Sequence, residues 1–199
     1  GFRALPNTSR LLSLVQFSTN RPGARSGRHH AFKHKAATQE EAAKDRPFTL
    51  PPGLHRPKQS LGQNYLSDQN YVVKICDAFK DDSDQGDRVV EIGPGMGALT
   101  RVLMRRYPKM TALEIDQRSV KFLNEKLPGL NVLHQDVLDF DWCQLAADKG
   151  GKLSVVANLP YHITSQVLFS LADSYKAIDK AVVTMQWEVA ERVTAKPNS

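Results

Sequence analysis

Hydrophobic positions are irregular over the first part of the chain and become periodic from about Pro57 onward. Val72, Ile75 or Cys76, and Phe79 recur at helical spacing, and Ser67 and Asp68 stand where a helix start needs an acceptor side chain. After the polar loop Asp81-Asp-Ser-Asp-Gln-Gly86, short apolar runs alternate with longer amphipathic stretches. The runs Val89–Ile92, Thr111–Ile115, Asn131–His134, Leu153–Ala157 and Ala181–Gln186 predict strands. Helical patterns fall between them, at about Ala98–Arg106, Arg118–Leu127, Asp141–Ala147 and Ser165–Ala172. Short apolar strands separated by helices predict parallel strands covered on both faces, a doubly wound α/β sheet.

Composition changes this picture only at the start of the chain. Residues 1–47 hold nine Lys/Arg and only three acids, Glu40, Glu41 and Asp45. That net +6 equals the formal charge of the whole chain, so the periodic part is balanced and its charge says nothing about nucleic acid. The segment is rich in Arg, Ser, Ala and His, and Arg10–Phe17 could form a short basic amphipathic helix. This is the composition of an organelle transit peptide, and it predicts a disordered leader addressed to a mitochondrion or plastid. Leu50-Pro-Pro-Gly53 reads as a linker into a domain over residues 48–199. No run of apolar residues is long enough for a membrane-spanning helix. Cys76 and Cys143 lack metal-like spacing, and both are expected to fill core gaps.

Candidate chemistry lies where the strands end. Val89–Ile92 runs straight into Gly93-Pro-Gly95-Met-Gly97. Glycines there allow a sharp turn and close approach of the backbone to a ligand. The second strand ends in Glu114-Ile-Asp116, where an acid can accept hydrogen bonds from both ribose hydroxyls. Asp136 follows the third strand, in position to bond an adenine amino group. Ligands of open α/β sheets bind at such carboxyl ends, so Gly93, Gly95, Glu114 and Asp136 together predict a nucleoside site. The glycines do not complete G-x-G-x-x-G, which argues against a dinucleotide and for S-adenosylmethionine.

The fourth strand ends in Asn158-Leu159-Pro160-Tyr161. Pro160 stiffens the turn, so the Asn158 amide and a nearby backbone carbonyl can aim two acceptors at one point. An exocyclic amine has two N–H donors, and accepting both would direct its lone pair at a methyl group. Tyr161 offers an aromatic face on which a base can stack.

Four motifs carry a resemblance to a known family: Lys58-Gln-Ser-Leu-Gly-Gln-Asn-Tyr-Leu66, Glu91-Ile-Gly-Pro-Gly-Met-Gly-Ala-Leu-Thr100, Asn158-Leu-Pro-Tyr161 and Glu188-Val-Ala-Glu-Arg192. In order and content they resemble the ribosomal RNA adenine N6,N6-dimethyltransferases, over roughly residues 57–197. The resemblance implies a Rossmann-like sheet with S-adenosylmethionine as methyl donor, cut short after about five parallel strands. It also implies dimethylation of two adjacent adenines near the 3′ end of small-subunit ribosomal RNA, by a monomer acting on a pre-ribosomal particle. Carried over by position, Asn64 and Leu66 would cover the methionine end of the cofactor and Gly93 would contact it. Glu114 would hold the ribose and Asp136 the adenine. Asn158 would lie between cofactor and target base, with Tyr161 stacked on that base. Trp187 departs from the pattern, standing where the family usually has a basic residue before Glu188. The family also continues into two further strands and a small helical RNA-binding domain, whereas this sequence stops at Ser199.

Two rival expectations share these motifs. One is a relative that methylates large-subunit RNA; a targeting leader argues against it. The other is a mitochondrial transcription factor of the same fold, working by binding alone; an intact Asn158–Tyr161 turn argues for a retained enzyme.

Overall fold

The computed structural model describes the backbone of residues 2–5 and 13–18, and residues 69–159 and 162–195. In chain order the elements are β1 (Phe2–Leu5), β2 (Ser13–Ser18), α1 (Gln69–Ala78), β3 (Val89–Ile92), α2 (Thr100–Arg106), β4 (Thr111–Glu114) and α3 (Gln117–Lys126). There follow β5 (Asn131–His134), α4 (Trp142–Asp148), β6 (Leu153–Asn158), α5 (Thr164–Asp173), β7 (Ile178–Met185) and α6 (Trp187–Thr194). The strands form one sheet in the order β1-β2-β7-β6-β3-β4-β5. The run β7-β6-β3-β4-β5 is parallel throughout, as the alternation of strands and helices predicts.

Strand pleating explains how the core divides. Val90, Ile92, Val155, Ala157, Ala181 and Val183 bury on one face, together with side chains of α4, α5 and α6. Their alternating neighbours Val89, Ala112, Val156 and Val182 bury on the other, together with side chains of α1, α2 and α3. Trp142 is the bulkiest fully buried side chain; it stands edge-on to Phe140 and its indole N–H donates to Ser170 Oγ at 3.1 Å. Truncating such a residue to alanine typically costs about 3–5 kcal/mol. Helix starts follow local chemistry: the Asp116 carboxylate accepts from Arg118 N to cap α3, and Asp141 accepts from Gln144 N to cap α4.

Three features differ from the sequence expectation. β7 starts at Ile178, not Ala181, because Asp179 and Lys180 sit half-buried within the ladder and disguise its beginning. Cys143 lies exposed on α4, whereas Cys76 is buried as expected. The helix expected over Arg10–Phe17 is not formed at Ser13–Ser18, which is instead strand β2; it runs antiparallel along β7 from Ser13↔Met185 to Ser18↔Lys180, with β1 outside it. An edge strand needs little more than a neighbour's unpaired backbone groups, and the outer edge of β7 supplies them. Among the described residues no helix is long and apolar enough to cross a membrane.

Candidate active site

β3 delivers the chain into the glycine turn at the carboxyl edge of the sheet. Gly93, Gly95 and Gly97 have φ of 65°, 54° and 78°, the left-handed region that residues with a Cβ avoid. Gly93 N donates to Leu113 O of β4 at 2.9 Å, and Gly97 N donates to Pro94 O at 2.8 Å. The turn is thereby fixed to the neighbouring strand. A Cβ built on Gly93 would meet nothing within 4 Å, so open space lies directly against the backbone there.

Glu114 closes β4 beside this turn. Its Oε2 accepts from Gly95 N at 2.9 Å and its Oε1 from Asp116 N at 2.8 Å. Burial pushes its carboxyl above the ordinary range, while the N–H donors of Asp116 and Gly95 oppose that. Glu114 therefore braces the glycine turn, and each oxygen keeps lone-pair capacity for a diol. Asp116 has a different task, since its buried carboxylate pairs with Arg118 at 2.6 Å while capping α3. Asp136 follows β5; its Oδ1 accepts from Leu138 N at 2.9 Å.

Two apolar side chains that sequence reading missed accompany these acids. Ile115 and Leu138 are 47% and 40% exposed, one directly after Glu114 and the other two residues after Asp136. Exposed aliphatic side chains beside polar acceptors suit a flat aromatic ligand, but a single one leaves no periodic trace in a sequence. His134 Nε2, at the end of β5, lies 3.0 Å from Ile115 O, one residue past the end of β4.

Asn158 ends β6, two strands from Glu114 in the sheet order β6-β3-β4. Its Oδ1 accepts from the Thr184 hydroxyl of β7 at 2.6 Å. Thr184 also escaped sequence reading; its one signal was a hydroxyl inside the apolar run of β7. Asn64, Leu66, Pro160 and Tyr161 lie outside the described residues. Counting two residues on from Val89, Ala112, Val156 and Val182 places Glu91, Glu114, Asn158 and Thr184 on one face of the sheet, the face that α1–α3 cover.

Glu91 is the least expected member of that row. It is fully buried, and burial together with the Glu114 charge raises its pKa to about 8. The Thr100 hydroxyl is near enough to lower it somewhat, yet Glu91 Oε2 and Thr100 Oγ1 both lack a partner within hydrogen-bond geometry. Cys76 of α1 faces the same spot, and burial holds it as a thiol, with a pKa of about 12.

The donor set fits S-adenosylmethionine. There is open backbone at Gly93, a carboxylate at the end of β4 for a ribose, an acid after β5 for an adenine amine, and two apolar side chains beside them. A parallel sheet with this turn and these acids at its carboxyl edge defines a Rossmann-like nucleoside-binding domain.

Comparison with known proteins narrows the class. The family described as ribosomal RNA adenine dimethylase matches residues 54–199, and the chain belongs to it. Among curated relatives, the ribosomal RNA small subunit methyltransferase A of Salinibacter ruber is 46% identical over 144 residues, covering 72% of this chain and 48% of that protein. The protein of the same name from Ligilactobacillus salivarius is 45% identical over 148 residues, covering 71% and 49%. The chain thus spans about half the length of the curated relatives it matches. Among solved structures, a dimethyladenosine transferase from Plasmodium falciparum superimposes with a TM-score of 0.54 at 30% identity, over 67% of this chain and 47% of that one. The 23S rRNA methyltransferase ErmE does so with a TM-score of 0.57 at 31% identity, over 66% and 51%.

Proposed function

We propose that this chain carries the cofactor-binding and catalytic part of an enzyme that transfers methyl groups from S-adenosylmethionine to the N6 amine of adjacent adenines in small-subunit ribosomal RNA. The observation behind this reading is the placement of Asn158. Its amide oxygen ends β6 on the same sheet face, and at the same carboxyl edge, as the glycine turn and Glu114. Membership of the dimethylase family, and the names of relatives up to 46% identical, support the choice of substrate. The likeness to a 23S enzyme favours a second reading, methylation of large-subunit RNA, at lower identity. Methylation assays on small- and large-subunit RNA separate the two.

In this proposal Glu114 accepts from the ribose hydroxyls and Asp136 from the adenine amine of the cofactor, with Ile115 and Leu138 against the ring. When bound, the cofactor supplies a methyl group already activated by its positive sulfonium. The chain contributes position: the Asn158 oxygen accepts one N–H of the target amine and turns the nitrogen lone pair toward the methyl. No strong base is needed if the proton leaves after attack. We further read the protein as a monomer, and residues 1–47 as an organelle address.

The test is Asn158→Ala in the full-length protein, in single-turnover methylation at saturating cofactor and RNA. Losing one transition-state contact of this kind should slow the chemical step by about 10²–10³. RNA affinity should change little, since phosphate contacts dominate it. A near wild-type rate would leave Asn158 a structural cap and overturn the proposal.

A further inference from the structure

Thr184 is an odd residue for its place. It is 4% exposed, in a stretch of β7 where Ala181, Val182, Val183 and Met185 are all buried and apolar. Valine has nearly the same shape and would avoid the cost of burying a hydroxyl. The hydroxyl has one contact that offsets this cost. Register sets Asn158 directly opposite Thr184 on the parallel strands β6 and β7, and Thr184 Oγ1 donates to Asn158 Oδ1 at 2.6 Å.

The contact bears on which end of the amide faces which way. An asparagine amide turns broadly about χ2, and half a rotation exchanges its acceptor oxygen for its two N–H donors. Thr184 has one hydroxyl proton, and it is donated to Asn158 Oδ1. With the amide reversed, Nδ2 would donate to Oγ1 and the buried threonine proton would lose this acceptor, an unfavourable arrangement. The bond therefore holds Oδ1 toward β7. A carbonyl oxygen has two lone pairs, so one remains for a second donor.

We propose that Thr184 is a positioning residue for methyl transfer: it locks the Asn158 amide so that oxygen, not nitrogen, meets the target amine. The proposal rests on the role given to Asn158 above. It assigns Thr184 no contact with substrate or cofactor and no part in proton transfer.

Four variants of the full-length protein test it: Thr184→Val, Thr184→Ser, Asn158→Ala and the double variant Thr184→Val/Asn158→Ala. Each is assayed in single-turnover methylation at saturating cofactor and RNA, alongside calorimetric cofactor affinity. Thr184→Val should slow the chemical step about tenfold, as expected for losing one neutral hydrogen bond that fixes a reacting group. Thr184→Ser, which keeps the hydroxyl, should recover to within about twofold of wild type. The valine effect should vanish in the Asn158→Ala background, and cofactor affinity should barely move. Thr184→Val at wild-type rate, while Asn158→Ala is slow, overturns the role of Thr184 and leaves that of Asn158 standing. So does a valine effect that persists without Asn158, or a serine variant as slow as valine. Asn158→Ala at wild-type rate removes both readings. Should Thr184→Val fail to fold, Thr184→Ala against Thr184→Ser, at a temperature where both are folded, reads the same contrast.

Discussion

Replacing Glu91 by glutamine should shift the stability of the cofactor-free protein progressively in the variant's favour as pH rises. The glutamate is fully buried on β3, with Cys76, Thr100 and Glu114 as its polar neighbours. Its pKa rises from 4.5 to about 8, chiefly through burial and then through the Glu114 charge. In this case the folded state keeps a proton that the unfolded chain has already released. The contribution to stability is whole below pH 4.5 and fades as pH rises toward 8. Each tenfold change in proton affinity is worth about 1.4 kcal/mol, so the whole loss is about 5 kcal/mol, of which about 3 kcal/mol is already gone at pH 7. Glutamine has the same size and never ionises, so it escapes that loss. It does bring a second N–H into the buried site, a pH-independent cost of about 1–3 kcal/mol if unpaired. The change with pH is therefore the cleaner quantity: between pH 5 and pH 7 the advantage of Glu91→Gln should grow by about 2–3 kcal/mol. Urea unfolding of both proteins at several pH values, extrapolated linearly, measures this directly. A difference that stays constant across that range would show that Glu91 is ionised in the folded protein, and the burial argument would fail.

Glu114→Gln should weaken S-adenosylmethionine binding by about 1.5–3 kcal/mol, the range for hydrogen bonds to a charged group, because one oxygen becomes a donor beside Gly95 N or Asp116 N. Unchanged affinity by calorimetry in a folded variant would remove Glu114 from the site. Residues 1–47 fused to a fluorescent reporter should concentrate in mitochondria or plastids; a uniform cytosolic signal would end the targeting reading.

Much of this domain is written locally. The alternation of short apolar runs with helical periods sets β3 to β7 and the helices between them, because pleat and helical turn repeat over a few residues. The glycine turn, Glu114, Asp136 and Asn158 are equally legible, since each directly follows or closes a strand and parallel sheets expose those ends. Tertiary structure decided what the same residues face. Glu91 reads as one polar residue in a strand, and only packing under α1 and α2 makes it a buried acid with an orphan oxygen. Thr184 and Asn158 are 26 positions apart, and register alone sets them side by side. Ile115 and Leu138 gain meaning only from exposure beside two acids. The pairing of Ser13–Ser18 with β7 spans nearly the whole chain and depends on an open strand edge, which no local pattern of side chains encodes. Periodicity is a property of neighbours in sequence; partnership across strands follows from which faces the fold brings together.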